Sequence, residues 1–162
     1  MVDSGIDYNS MQGQLLASAD KILATAGSLP VVKEDSTTQR KVHFEMQGDN
    51  PIIVHFDTAM DISLEQIKTF CGAYADNMNK ITPAPMSFKN LEDLPEGRKL
   101  AHHRSVPPMP LISARSMICT YYTINQSDEE FTFIASTLGN EPLVTGKHKD
   151  LCGSDVIAEV TI

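Results

Sequence analysis

An α+β fold, in which a curved antiparallel sheet wraps around a helix, is predicted by three observations along the chain. Apolar residues recur at three- and four-residue steps over Tyr8–Ala26 and again after Asp61, the spacing of one-sided helices. The segments between and after them alternate apolar with polar residues, the period of strands wet on one face. The third is their order: a strand, a hairpin, a helix and then a run of strands. Apart from these, a loop at 106–112, carrying Val106, Pro107, Pro108, Met109, Pro110, Leu111 and Ile112, is apolar where loops are normally polar. Something apolar must touch it: the protein's own helix, a membrane surface or a ligand.

In the first segment Met11, Leu15, Ala19, Ile22, Leu23 and Ala26 make the stripe, and Gly27 is a natural left-handed stop. Pro30 bars continuation, so 31–37 reads as a short strand. Over 40–47, Val42, Phe44 and Met46 alternate with Lys41, His43, Glu45 and Gln47. Ile52, Val54, Phe56, Thr58 and Met60 then alternate with Ile53, His55, Asp57 and Ala59, and Gly48, Asp49, Asn50 and Pro51 turn the two runs into a hairpin. His43 and His55 fall on polar faces and are expected in solvent.

Ser63 and Gln66 have capping-box spacing, and Leu64, Ile67, Cys71, Tyr74 and Met78, flanked by Phe70, form the stripe of a second helix that ends near Asn79, ahead of Pro83 and Pro85. Strands are expected at 86–91, 98–104, 117–124, 131–138 and 156–162, with turns at Pro95, Glu96 and Gly97 and over 126–130.

Composition limits the function. A chain of 162 residues fits one domain and buries roughly two-thirds of its surface without metal or disulfide. Thirteen Lys and Arg against 21 Asp and Glu give a net charge of −8, which argues against nucleic-acid binding and leaves any membrane contact to local apolar groups. Cys71, Cys119 and Cys152 are odd in number and lack metal-type spacing, and the residues before Tyr8 do not resemble a signal peptide, so reduced thiols in the cytoplasm are expected. No apolar run approaches the ~20 residues of a membrane-spanning helix. No Gly-rich phosphate cradle, nucleophile elbow or HExxH is present, so neither cofactor nor metal is expected.

Pro108, Met109, Pro110, Leu111, Ile112, Ser113, Ala114, Arg115 and Ser116 resemble, with one extra residue, the P-x-P-M-x-x-R-D loop that leads into a strand in the START domain. That is the steroidogenic-acute-regulatory-related lipid-transfer family of the helix-grip superfamily. The segment ASTLGNEPLVTGKHKDLCGSDVIAEVTI is similar to the strand, loop and strand that follow in it. Ser116 stands where the motif has Asp, and Tyr121 where sterol- and phospholipid-binding members often carry a cavity Arg. The family's closing strand and C-terminal helix have no counterpart before Ile162, so the resemblance implies a single START-like domain over residues 1–162, shortened at its C-terminus.

The resemblance implies a helix-grip fold and a non-enzymatic cytoplasmic module that binds, and transfers, a lipid or other hydrophobic molecule in an internal cavity. Phe56, His102, Met117, Tyr121 and Phe133 are the expected ligand contacts. Met117, Cys119 and Tyr121 share a strand face, and Tyr121 offers a phenol in an apolar wall. Of the adjacent His102 and His103 only one can face a cavity, and His102 is the candidate for a head-group contact. Met109, Leu111 and Ile112 are the expected gate or transient membrane contact, with Arg115 as the loop's latch. Two other classes stay open. One is a cyclase- or hydratase-like enzyme using His102 or Tyr121 as acid or base; the other is a ligand-free interaction domain whose exposed sheet face is covered by a second copy in a homodimer.

Overall fold

Striped segments become helices and alternating ones strands. The computed structural model describes residues 5–26, 28–37, 39–47, 50–82, 86–107, 109, 111–125 and 127–157, with the side chains at 46, 47 and 50–53 excepted. Chain order is α1 (Tyr8–Ala26), β1 (Val31–Asp35), β2 (Arg40–Gln47), β3 (Asn50–Asp57), α2 (Leu64–Gly72), α3 (Tyr74–Ile81), β4 (Met86–Asp93), a 3₁₀ turn (Pro95–Gly97), β5 (Lys99–Ser105), β6 (Arg115–Asn125), β7 (Phe131–Ser136), α4 (Glu141–Thr145), α5 (Lys149–Cys152) and β8 (Val156–Ile157). The class is α+β, with largely antiparallel sheets and several helices. The roles expected of Gly27, Gly48, Asp49, Pro83, Pro85, Pro108, Pro110 and Gln126, and the strand beyond Ile157, lie outside the described residues.

Two compact units divide the chain, Leu16–Ser63 and Met1–Leu15 with Leu64–Ile162. The first contains the antiparallel sheet β1-β2-β3. Its register sets Val42 against Phe56, His43 against His55 and Phe44 against Val54, so apolar residues share one face and histidines the other. Contrary to expectation, His43 is buried: its Nδ1–H donates to the Leu29 carbonyl at 2.9 Å, and its ring stands edge-on to His55 at 5.3 Å. Val54 and Phe56 are exposed, Phe56 to 67%. Alternation fixes which residues share a face, but not which face is covered.

In the second unit β4-β5-β6-β7 run antiparallel, and β8 pairs in parallel with the start of β6, which β7 does not reach. The single helix expected over 61–79 breaks into α2 and α3 at Ala73, whose φ of −120° and ψ of 39° are not helical. That break lets α3 lay Tyr74, Ala75 and Met78 on Phe88, Ala101, Cys119 and Tyr121. Asn79 fixes the helix to β4, accepting from the Phe88 N–H at 2.9 Å and donating to its carbonyl at 2.6 Å. On the sheet's opposite face Leu100 and Ile118 pack with Leu143 of α4 and Cys152 of α5. Each such fully buried large apolar side chain contributes about 1.5–3 kcal/mol.

The start of α1 belongs to this unit. Asp7 Oδ1 accepts the Ser10 N–H at 3.0 Å, a side-chain cap on the helix's free donors. The buried Arg98 guanidinium donates to Asn9 Oδ1 at 2.5 Å and to Gln12 Oε1 at 2.8 and 3.0 Å. It also pairs at 2.6 Å with Glu96, which sits in the left-handed region at φ +61°, uncommon for a residue with a side chain.

Candidate functional site

Pairing of β5 with β6 sets Ala101 against Cys119 and His103 against Met117; pairing of β6 with β7 sets Tyr121 against Ala135 and Thr123 against Phe133. Met117, Tyr121 and Phe133 therefore share a face, as the alternation predicts, and the histidine beside them is His103 rather than His102. Tyr74 of α3 stands 5.0 Å from the rings of both Tyr121 and Phe133, and Phe88 stands 4.5 Å from that of His103. The Tyr121 hydroxyl and His103 Nε2 are hydrogen-bonded. Burial, and secondarily the nearby His102, pushes the His103 imidazole down to about 4; burial pushes the Cys119 thiol up to about 12. The imidazole is neutral at physiological pH, and the thiol is no nucleophile. Phe56 belongs to β3 of the three-stranded sheet, where it is exposed.

His102 faces the other way. Its Nε2 lies 3.0 Å from Ser116 Oγ, and Ser116 donates to Asp155 Oδ2 at 2.7 Å. Arg104 clasps the same carboxylate at 2.7 and 3.2 Å. Arg104, then Ser116, hold the Asp155 carboxyl below its usual range, and burial lowers His102 despite the opposing pull of Asp155. These are the residue types of a hydrolytic triad in the wrong order. The serine sits between histidine and carboxylate, where the triad has histidine in the middle, and is fully buried, so its oxygen is out of reach of a substrate. The set ties β5 and β6 to the segment before β8. Arg115, the expected latch, is exposed, so the ion pair at this corner is made by Arg104.

Open space lies on this second face. A cleft of about 470 Å³ is lined by Tyr8, Glu92, Leu94, Leu100, Pro142, Leu143 and Lys147. A smaller one of about 260 Å³ is lined by Ile118, Thr137, Asn140, Glu141, Val144, Thr145 and Ile157. Local chemistry builds both. The register shift in β4 brings Glu92 opposite Leu100, and Lys147 pairs with Glu92 at the rim. Arg98 anchors the α1 turn that carries Tyr8. Asn140 starts α4 and pins it to the sheet, donating to the carbonyls of Ile118 at 2.9 Å and Ser136 at 3.4 Å and accepting from Thr120 Oγ1 at 3.1 Å. None of this was found from sequence. The only signal was Gly-Asn-Glu-Pro at 139–142, a helix start followed by a helix too short to show periodicity.

In the apolar loop Val106, Met109, Leu111 and Ile112 are exposed, Leu111 to 95%. The loop leaves β5 at Ser105, about 17 Å along the strand from Leu100, so it does not border the larger cleft. Among the described residues no helix is long and apolar enough to cross a membrane, and no cluster of three or more His, Cys, Asp or Glu is placed to hold a metal ion. Comparison of the chain with protein-family models, curated proteins and solved structures finds no match.

Proposed function

We propose that the chain is a helix-grip, START-like binding module that takes up a lipid or other hydrophobic small molecule without transforming it. The observation that carries this reading is the 470 Å³ cleft, walled by Tyr8, Leu94, Leu100, Pro142 and Leu143, with Glu92 and Lys147 as its charged lining. Its size and its few polar groups suit a small-molecule site. Apolar transfer into it yields ~0.8 kcal/mol per buried methylene, and the rim charges orient a polar end. The order of one helix, three strands, two helices and a run of antiparallel strands supports the helix-grip assignment. Exposed Met109, Leu111 and Ile112 support a transient membrane contact, and free Cys71, Cys119 and Cys152 a reducing, cytoplasmic location. Catalysis by His102 or Tyr121 has less support, since both are buried and hydrogen-bonded within the protein.

Native mass spectrometry and solvent extraction of the purified chain test the reading, together with lipid transfer between vesicles. Lipid should co-purify, Leu94→Glu should deplete it, and Met109→Asp with Leu111→Asp should slow transfer. Finding no lipid, and transfer unchanged by these variants, sinks it. A second reading, a homodimer over the exposed Val54 and Phe56, is favoured by that uncovered face of β3. It requires a dimer in sedimentation equilibrium that Phe56→Lys dissociates.

A further inference from the structure

We infer that the two clefts beside α4 are halves of one trench, and that a long single-chain fatty carboxylate lies along it with its head group at Lys147, lifting α4 as a strap. The inference rests on the small-molecule reading above and names the ligand class. Pro142, Leu143 and Lys147 border the larger cleft, while Glu141, Val144 and Thr145, on the same short segment, border the smaller. The floors are Leu100 and Ile118, which are diagonal neighbours because Leu100 pairs with Thr120, placing them roughly 7–8 Å apart. Leu143 packs in one cluster with both, and beside it Asn140 holds the start of the segment to Ile118, Ser136 and Thr120.

That segment is weakly built. α4 has five residues, and its N-terminal Asn140 makes no side-chain cap because its amide is bonded to the sheet. A helix this short has no stability of its own, and Leu143 is its buried residue. Glycines flank it. Gly139 sits at φ +73°, where side chains are strained, and a Cβ on Gly146 would stand 2.7 Å from the Pro142 carbonyl oxygen. Both ends of the strap are thus positions that only glycine fits.

Charge chooses the occupant and its direction. The larger cleft carries Lys147, half exposed and paired with Glu92, on a flexible stem that can also reach a ligand carboxylate, whereas the smaller cleft carries Glu141 with no Lys or Arg among its described lining residues. The Ile118 end also opens beside exposed Val156 and Ile157, where the Val156 N–H donates to the Ala114 carbonyl at 2.8 Å, close behind the apolar loop. The tail therefore lies at the end of the trench nearer the exposed loop residues Met109, Leu111 and Ile112.

Isothermal titration of the purified chain with saturated fatty acids from octanoate to stearate, and with the matching primary alcohols, tests this. Affinity should climb roughly fourfold per methylene through both clefts. Val144→Trp, and independently Thr145→Trp at an exposed position, should stop the climb at a shorter chain, with folding checked by thermal melts. Lys147→Ala should weaken the acids about tenfold and leave the alcohols unchanged. A climb ending at the same chain length in the native protein and both tryptophan variants overturns the trench. Acids and alcohols responding alike to Lys147→Ala overturns the carboxylate assignment. Binding of no acid or alcohol at all overturns the small-molecule reading itself.

Discussion

On one face of the five-stranded sheet α3 presses Tyr74 to within 5.0 Å of both Tyr121 and Phe133; on the other, α4 and α5 contribute Leu143 and Cys152 and leave clefts of about 470 and 260 Å³ beside α4. The same strands supply both faces. What differs is the cover: α3 is eight residues long and clamped to β4 by Asn79, whereas α4 and α5 have five and four residues. Large aromatic side chains fill the space they border. Open space is left on the second face, where the covering helices are short.

The most damaging way to break the filled face is Tyr121→Ala, which removes a buried ring and the hydroxyl bonded to His103. Urea unfolding should register a loss of about 3–5 kcal/mol. A loss below about 1 kcal/mol would place Tyr121 on an open wall instead.

Acid should weaken the same face. His103 titrates at about 4 against an ordinary 6.5, because burial and then His102 disfavour its charged form. The unfolded chain takes up this proton first as pH falls, so stability rises with pH between about 4 and 6.5 and is full above that window. Moving from neutral pH to pH 4 should cost about 3 kcal/mol in chemical unfolding from this group, and His103→Gln should remove that part of the slope. A slope unchanged by the substitution contradicts the burial.

Loosening the open face should cost less. Asn140→Ala unfastens the start of α4 from Ile118, Ser136 and Thr120 and should destabilise by about 1–3 kcal/mol, with faster hydrogen exchange confined to 139–148. Exchange spreading instead through β6 and β7 would show that α4 is not a separate strap. Least of all, Leu111→Ser should change stability by under about 0.5 kcal/mol, since the side chain is 95% exposed, while reducing vesicle co-flotation. Unchanged flotation removes the loop from membrane contact.

Much of the fold was legible because it rests on local periodicity. The stripe from Met11 to Ala26 became α1, the alternation around Phe44 and Val54 became the β2–β3 hairpin, and Met117, Tyr121 and Phe133 came together on one face. What failed depends on non-local partners. Alternation places His102 and His103 on opposite faces, but only the register with β6 sends His103 to Tyr121 and His102 to Ser116. The burial of His43 and exposure of Phe56 depend on which face of β2 and β3 finds cover. The clefts depend on α4, whose five residues are too few for a stripe, and on Arg98 bringing α1 to the sheet across 86 positions of sequence.

The central claim is that ligand occupies the poorly covered face, beside Leu100 and Leu143, and not the aromatic wall. Intermolecular nuclear Overhauser effects between bound dodecanoate and assigned methyl groups decide it directly. Cross-peaks to the methyls of Leu94, Leu100 and Leu143, with none to Met117, Ala101 or Ala135, are the predicted result. Cross-peaks to Met117 and Ala135 with Leu100 and Leu143 silent would contradict it.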